Sequence, residues 1–138
     1  MKNLFTVLLL GLGLTGAALA GELLARTSET GIRYYVGGVG IDQREALAEQ
    51  FGGYSLRVEV AEKGGAYTAD VLMRIYAADG SKQLDVLQNG PILVADLPPG
   101  QYRLEAEQFG QQQTKKVTVK GDRQTRITFL WAPPGNGL

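Results

Sequence analysis

From Tyr54 onward the chain alternates. Tyr54, Leu56, Val58 and Val60 are separated by Ser55, Arg57 and Glu59, the period of a strand with one buried face. Ala69, Val71, Met73, Ile75 and Ala77 give a second strand its inner face, and Asp79-Gly80 follows as a hairpin-type turn. A short strand at 84–87 runs into Asn89-Gly90, the strongest two-residue turn signal in the chain. A fourth strand spans 92–97 and stops at Pro98-Pro99-Gly100. In the fifth, Tyr102, Leu104 and Ala106 alternate with Arg103, Glu105 and Glu107. Gly110 turns into a sixth at 115–119, and Lys120-Gly121-Asp122 leads to a seventh at Thr125–Trp131. Seven short strands separated by turn residues predict an all-β, seven-stranded antiparallel β-sandwich. The tail 132–138, with Pro133-Pro134, cannot continue a strand.

Before Tyr54 the pattern differs. Asp42-Gln43-Arg44-Glu45 has the spacing of a capping box, Leu47 and Phe51 lie four apart on one face, and Gly52-Gly53 provides a stop. One short N-terminal helix is therefore expected at 42–51, docked on the domain 41–131. Residues 21–40 show no sustained period and read as a Gly-rich arm, loose at its start. The first twenty residues have the form of a secretory signal peptide: Lys2, an apolar stretch, then Ala18-Leu19-Ala20, with cleavage expected after Ala20. A transmembrane anchor is the alternative. The apolar run at 4–20 is interrupted by Gly11, Gly13, Thr15 and Gly16 and falls short of the span of about 20 residues, so cleavage is preferred. With no cysteine to carry a lipid, a soluble periplasmic (or secreted) product is expected.

Composition narrows the chemistry. There is no histidine and no cysteine, which excludes Ser-His-Asp and Cys-His nucleophiles, thiol redox chemistry, disulfides, and imidazole or thiolate metal sites. Removing the first 20 of 138 residues leaves 118, and Lys2 goes with them, turning 14 basic against 14 acidic residues into 13 against 14. A net charge of −1 argues against nucleic acid as a partner. The glycines at 37, 38 and 40 precede a helix but lack the strand and the Gly-Lys-Ser/Thr of a phosphate loop. Glu105 and Glu107 share a strand face beside Arg103, while Asp70, Asp79, Asp85 and Asp96 sit near strand ends. They read as a solvated surface, without the Asp-x-Asp spacing of a calcium loop. Lys115, Lys116, Lys120, Arg123 and Arg126 read as edge protection on the last two strands. No catalytic residue, cofactor or metal is expected. Tyr34, Tyr35 and Trp131 are the aromatics singled out as ligand or partner contacts, set against a reading in which they pin the arm and cap the core.

Two stretches carry a family resemblance. Ala69-Asp70-Val71-Leu72-Met73-Arg74-Ile75 ahead of Asp79-Gly80 is one. Leu97-Pro98-Pro99-Gly100-Gln101-Tyr102-Arg103-Leu104 ahead of Gly110 is the other. Together they resemble a carboxypeptidase regulatory-like domain of the transthyretin-like (prealbumin-like) sandwich class. Residues 37–61 also look like an arrangement found in small exported bacterial proteins of unknown function that bear this domain. The resemblance implies an accessory, folding or binding module. In it Pro98, Pro99, Gly100 and Tyr102 form a structural turn: the prolines fix φ and end pairing, and the tyrosine re-enters the core. Hydroxyisourate hydrolases share the sandwich class, but their histidines and Tyr-Arg-Gly-Ser terminus are lacking here, so that activity is not carried over. The expectation is a non-catalytic binding or protein-interaction module with an unidentified periplasmic protein as partner. A carbohydrate or cell-wall binding domain is the alternative, and no membrane partner is expected after cleavage.

Overall fold

A computed structural model describes residues 22–65, 68 and 70–132. The expected signal peptide, Ala69 and residues 133–138 of the tail lie outside the described residues. The chain is mostly strand: β1 Arg26–Thr27, β2 Arg33–Gly37, helix α1 Ile41–Phe51, β3 Leu56–Glu62, β4 Val71–Ala77, β5 Lys82–Gln88, β6 Ile92–Ala95, β7 Gly100–Gln108, β8 Gln111–Val119 and β9 Thr125–Trp131. One sheet has the order β1-β2-β6-β3-β9 and the other β5-β4-β7-β8. Leu56, Val58, Val60, Leu93 and Phe129 from the first meet Val71, Met73, Ile75, Leu84 and Leu104 from the second in a single core.

Nine strands among the described residues replace the expected seven. The two extra ones come from the segment read as an arm, where β2 pairs with β6 from Tyr34↔Ala95 to Gly37↔Ile92. The sheets are also not wholly antiparallel. β9 lies parallel to β3, from Leu56↔Thr125 to Glu62↔Trp131. Parallel neighbours need a long crossover, and here the entire four-stranded sheet lies between them in sequence.

Asn89-Gly90 does not make a hairpin, because β5 and β6 belong to different sheets. The glycine is needed for another reason: a Cβ on Gly90 would lie 2.8 Å from the Gly37 carbonyl oxygen. Tight hairpins occur at Asp79-Gly80 and at Phe109-Gly110. In the second, both residues have positive φ (52° and 76°), as a turn matched to strand twist requires.

The helix packs on the outer face of the five-stranded sheet. Leu47 and Phe51 meet Ile92 and Val94 there, with Tyr35 and Tyr54 against them. This second cluster explains why β6 has no exposed face: its residues alternate between two apolar environments and all four are buried. The helix begins at Ile41, one residue before the expected range, and its cap lies two residues before Asp42. Gly40 is the N-cap, and no side chain caps it. Gln43 Oε1 instead accepts from the amides of Gly38 (2.6 Å) and Val39 (3.0 Å), ordering the approach to the helix. Gly52 ends the helix in a right-handed conformation rather than the left-handed one expected of a glycine stop.

Candidate binding groove

The lateral edges of the two sheets leave a groove of about 850 Å3 on one side of the body. Leu24, Val36 and Tyr34 from the N-terminal side face Val86, Leu87 and Asn89 from the β5 side. Leu24 is 78% exposed and Leu87 53% exposed. β5 is an edge strand, paired only with β4. β1 is a two-residue strand, so it covers β2 only at Arg33 and Tyr34. At one end of the groove the Ser28 and Thr30 hydroxyls both donate to the Gln83 carbonyl, at 3.2 and 2.7 Å.

The N-terminal wall is held by packing of Leu23 and Ala25 on the helix cluster and by the Gln50 side chain. The Leu23 amide donates to Gln50 Oε1 at 2.9 Å, and Gln50 Nε2 donates back to the Leu23 carbonyl. The amide of Gln50 thus stands in for a neighbouring strand and ties residue 23 to the helix. Nothing in the sequence marks Gln50 for this role. Leu23-Leu24 is the signal that could have drawn attention to the wall, two adjacent leucines ahead of the polar run from Arg26 to Thr30.

Successive strand residues point to opposite faces, and this separates the two tyrosines. Tyr34 packs against the main core. Tyr35 stacks on Phe51, with ring centroids 5.2 Å apart. Both are half-buried. Trp131 is 3% exposed, tilted against Phe129 in β9, and β9 is at the opposite edge of the sheet from β1 and β2. The three aromatics therefore form no common surface, which leaves the carbohydrate alternative without its platform.

Pro98, Pro99, Gly100 and Tyr102 do form a structural unit. The chain leaves the five-stranded sheet at Leu97, passes the prolines, and enters β7 at Gly100. The Tyr102 hydroxyl donates to the Pro98 carbonyl at 2.7 Å, tying the corner shut, and burial raises its pKa above 10.0. At this end a second cleft of about 500 Å3 is lined by charged loop residues, among them Asp96, Lys120, Asp122 and Arg123.

Several carboxylates on the outer face of β5, β4 and β7 are paired with cations. Glu105 meets Arg103 at 3.2 Å, Arg74 lies 3.6 Å from Glu107 and 4.0 Å from Asp85, and Asp85 meets Lys82 at 2.8 Å. The bond to Asp85, and then its charge, raises the Lys82 pKa, while the Ser81 hydroxyl and backbone amide lower that of Asp79. Among the described residues no three acidic side chains converge to hold a metal ion, and no helix is long and apolar enough to cross a membrane. Lys115 and Lys116 in β8 and Arg126 in β9 lie on edge strands, whereas Lys120 and Arg123, also read as edge protection, lie in the loop between them. Comparison with protein-family models and with curated proteins finds no match to this chain.

Proposed function

We propose that the chain is an exported, non-catalytic binding module on a transthyretin-like sandwich, and that its partner is a protein segment received in the groove between β1 and β5. The observation that carries this reading is a strand edge engaged at Gln83 but not paired with another strand, set beside apolar walls. The β5 edge offers backbone donors and acceptors for strand addition, and Leu24, Val86 and Leu87 offer pockets for alternate side chains. The tied corner from Pro98 to Tyr102 supports the carboxypeptidase regulatory-like resemblance, since it gives the Leu-Pro-Pro-Gly-x-Tyr run a mechanical purpose. Absence of His and Cys and the pairing of Asp85, Glu105 and Glu107 with cations fit a module without catalysis.

Photo-cross-linking in the cell envelope tests the proposal, with a cross-linker at Leu87 and, on β8 at the far edge, at Lys116 as control. The expected result is a discrete protein adduct from position 87 and none from 116. Equal adducts from both, or none from either, would reject the groove. N-terminal sequencing of the exported product is expected to begin at Gly21, and an intact Met1 would contradict export with cleavage.

A further inference from the structure

The exposed large hydrophobic side chains among the described residues are Leu24, Val39, Ile41, Leu72, Leu87, Phe109 and Leu130. The strand pairings place every one of them toward the same end of the two-sheet body. Phe109 is the tip of the β7–β8 hairpin, beyond Gln108↔Gln111. Leu72 pairs with Leu87 and with Glu107, just inside that tip. In the other sheet, Leu130 pairs with Ala61, one position from the final Glu62↔Trp131 pair. Val39 and Ile41 lie where the chain leaves β2 at Gly37 and starts the helix. Leu24 shares the groove with Leu87 and Asn89. The opposite end, with Ser28–Gly31, Asp79-Gly80, Pro98-Pro99 and Lys120-Gly121-Asp122, carries none.

Scattered exposed leucines need no explanation, but segregation to one end does. Two of the tips also sit in unfavourable settings. Phe109 is 76% exposed at a positive φ that a bulky residue rarely adopts, and Val39 is 70% exposed between two positive-φ glycines.

The route of the chain indicates what faces this end. Residues 4–20 are the most apolar stretch of the sequence. They join the described domain just before Glu22, which lines the groove beside Leu87 and Asn89. A bilayer that receives the leader during export therefore meets the apolar end first. The charges described there are mainly acidic, with Glu22, Asp42, Glu62, Asp70 and Glu107 against Lys63 and Arg44, so nothing selects an anionic headgroup.

We propose that this end is a lipid-facing surface that rests on a zwitterionic bilayer, with Val39, Ile41 and Phe109 inserting as its tips. This goes beyond the groove reading and replaces the expectation that the processed chain has no membrane partner. Contact strength follows the apolar area inserted, so processing at Ala20 removes the leader but leaves the tips.

The lack of cysteine makes the test direct. Single-cysteine variants Val39→Cys and Asp122→Cys, at opposite ends, are labelled with an environment-sensitive dye. They are mixed with phosphatidylcholine vesicles containing a spin-labelled lipid, using both the full chain and the product starting at Gly21. The expected result is quenching of the dye at 39 and none at 122, in both forms. Ile41→Ser with Phe109→Ser lowers the vesicle-bound fraction by about tenfold or more without changing the melting temperature, since both side chains are already exposed. Equal behaviour at 39 and 122 would overturn the proposal, as would binding only to anionic vesicles. A dye response at 39 that depends on protein concentration without lipid would assign the end to a second copy of the chain instead.

Discussion

The two lateral edges of the body solve the same problem differently. At the β8/β9 edge, two long strands from different sheets run past each other without sharing a ladder. Side chains of β8 reach across instead. Gln113 Nε2 donates to the Leu130 carbonyl at 2.8 Å and Lys115 Nζ to the Thr128 carbonyl at 2.7 Å, while Thr125 Oγ1 donates back to the Thr118 carbonyl at 3.3 Å. Residues two apart on one strand thus satisfy carbonyls two apart on the other. At the β1/β5 edge the strands are short on one side, and two hydroxyls converge on the single carbonyl of Gln83. Matched spacing seals one edge. Its absence leaves a groove on the other.

The largest effect that would sharpen this contrast is in the core behind the sealed edge. Phe129 is fully buried, and Phe129→Ala is expected to cost about 3–5 kcal/mol in urea unfolding. Leu87→Ala on the open edge should change stability by less than about 0.5 kcal/mol. Similar losses from both would mean the groove wall is core after all.

Next comes the seal itself. Lys115 also lies 5.3 Å from the centre of the Phe129 ring, and Lys115→Met is expected to lose about 1 kcal/mol. Thr30→Val on the other edge should lose only about half as much, because Ser28 still donates to the same carbonyl. A reversed order would break the comparison.

Tyr102→Phe is expected to lose about 1 kcal/mol near neutral pH by removing the bond to Pro98. The native hydroxyl titrates above 10.0 because burial disfavours its ionised form. In the unfolded chain it ionises first, so this stabilisation is complete below pH 10.0 and declines as pH rises through the native value. The gap between wild type and variant should therefore narrow in alkaline melts, and a constant gap would show that folding leaves the Tyr102 pKa unchanged.

The smallest change has the opposite sign. Gln88 is fully buried, its Oε1 has no partner among the described residues, and its Nε2 reaches the Val58 carbonyl only at 3.5 Å. Gln88→Met is expected to be neutral to about 1 kcal/mol more stable in thermal melts. A loss would indicate that the amide oxygen is satisfied by ordered water.

How much of this was legible in the sequence depended on what each element faces. β4 and β7 were plain because one face packs and the other meets solvent, which writes a period of two into the residues. β2 was hidden because only five residues pair there, two of them aromatics facing opposite sides. The capping box at Asp42 misled because the helix already starts at Ile41, which puts Asp42 inside its first turn rather than at its cap. Asn89-Gly90 misled because a glycine can answer a close backbone approach as well as a hairpin. The candidate contacts Tyr34, Tyr35 and Trp131 were chosen by residue type. Residue type does not say which strands are neighbours, and the parallel placement of β9 follows from nothing local.

That placement has a kinetic consequence. The partner of the first long strand is the last one made: Leu56 must wait for Thr125 and Glu62 for Trp131. Contacts between such distant residues form late and slow the search. The five-stranded sheet therefore stays open beside β3 until the chain is nearly complete, and a chain cut short before Thr125 would leave β3 with an unpaired edge.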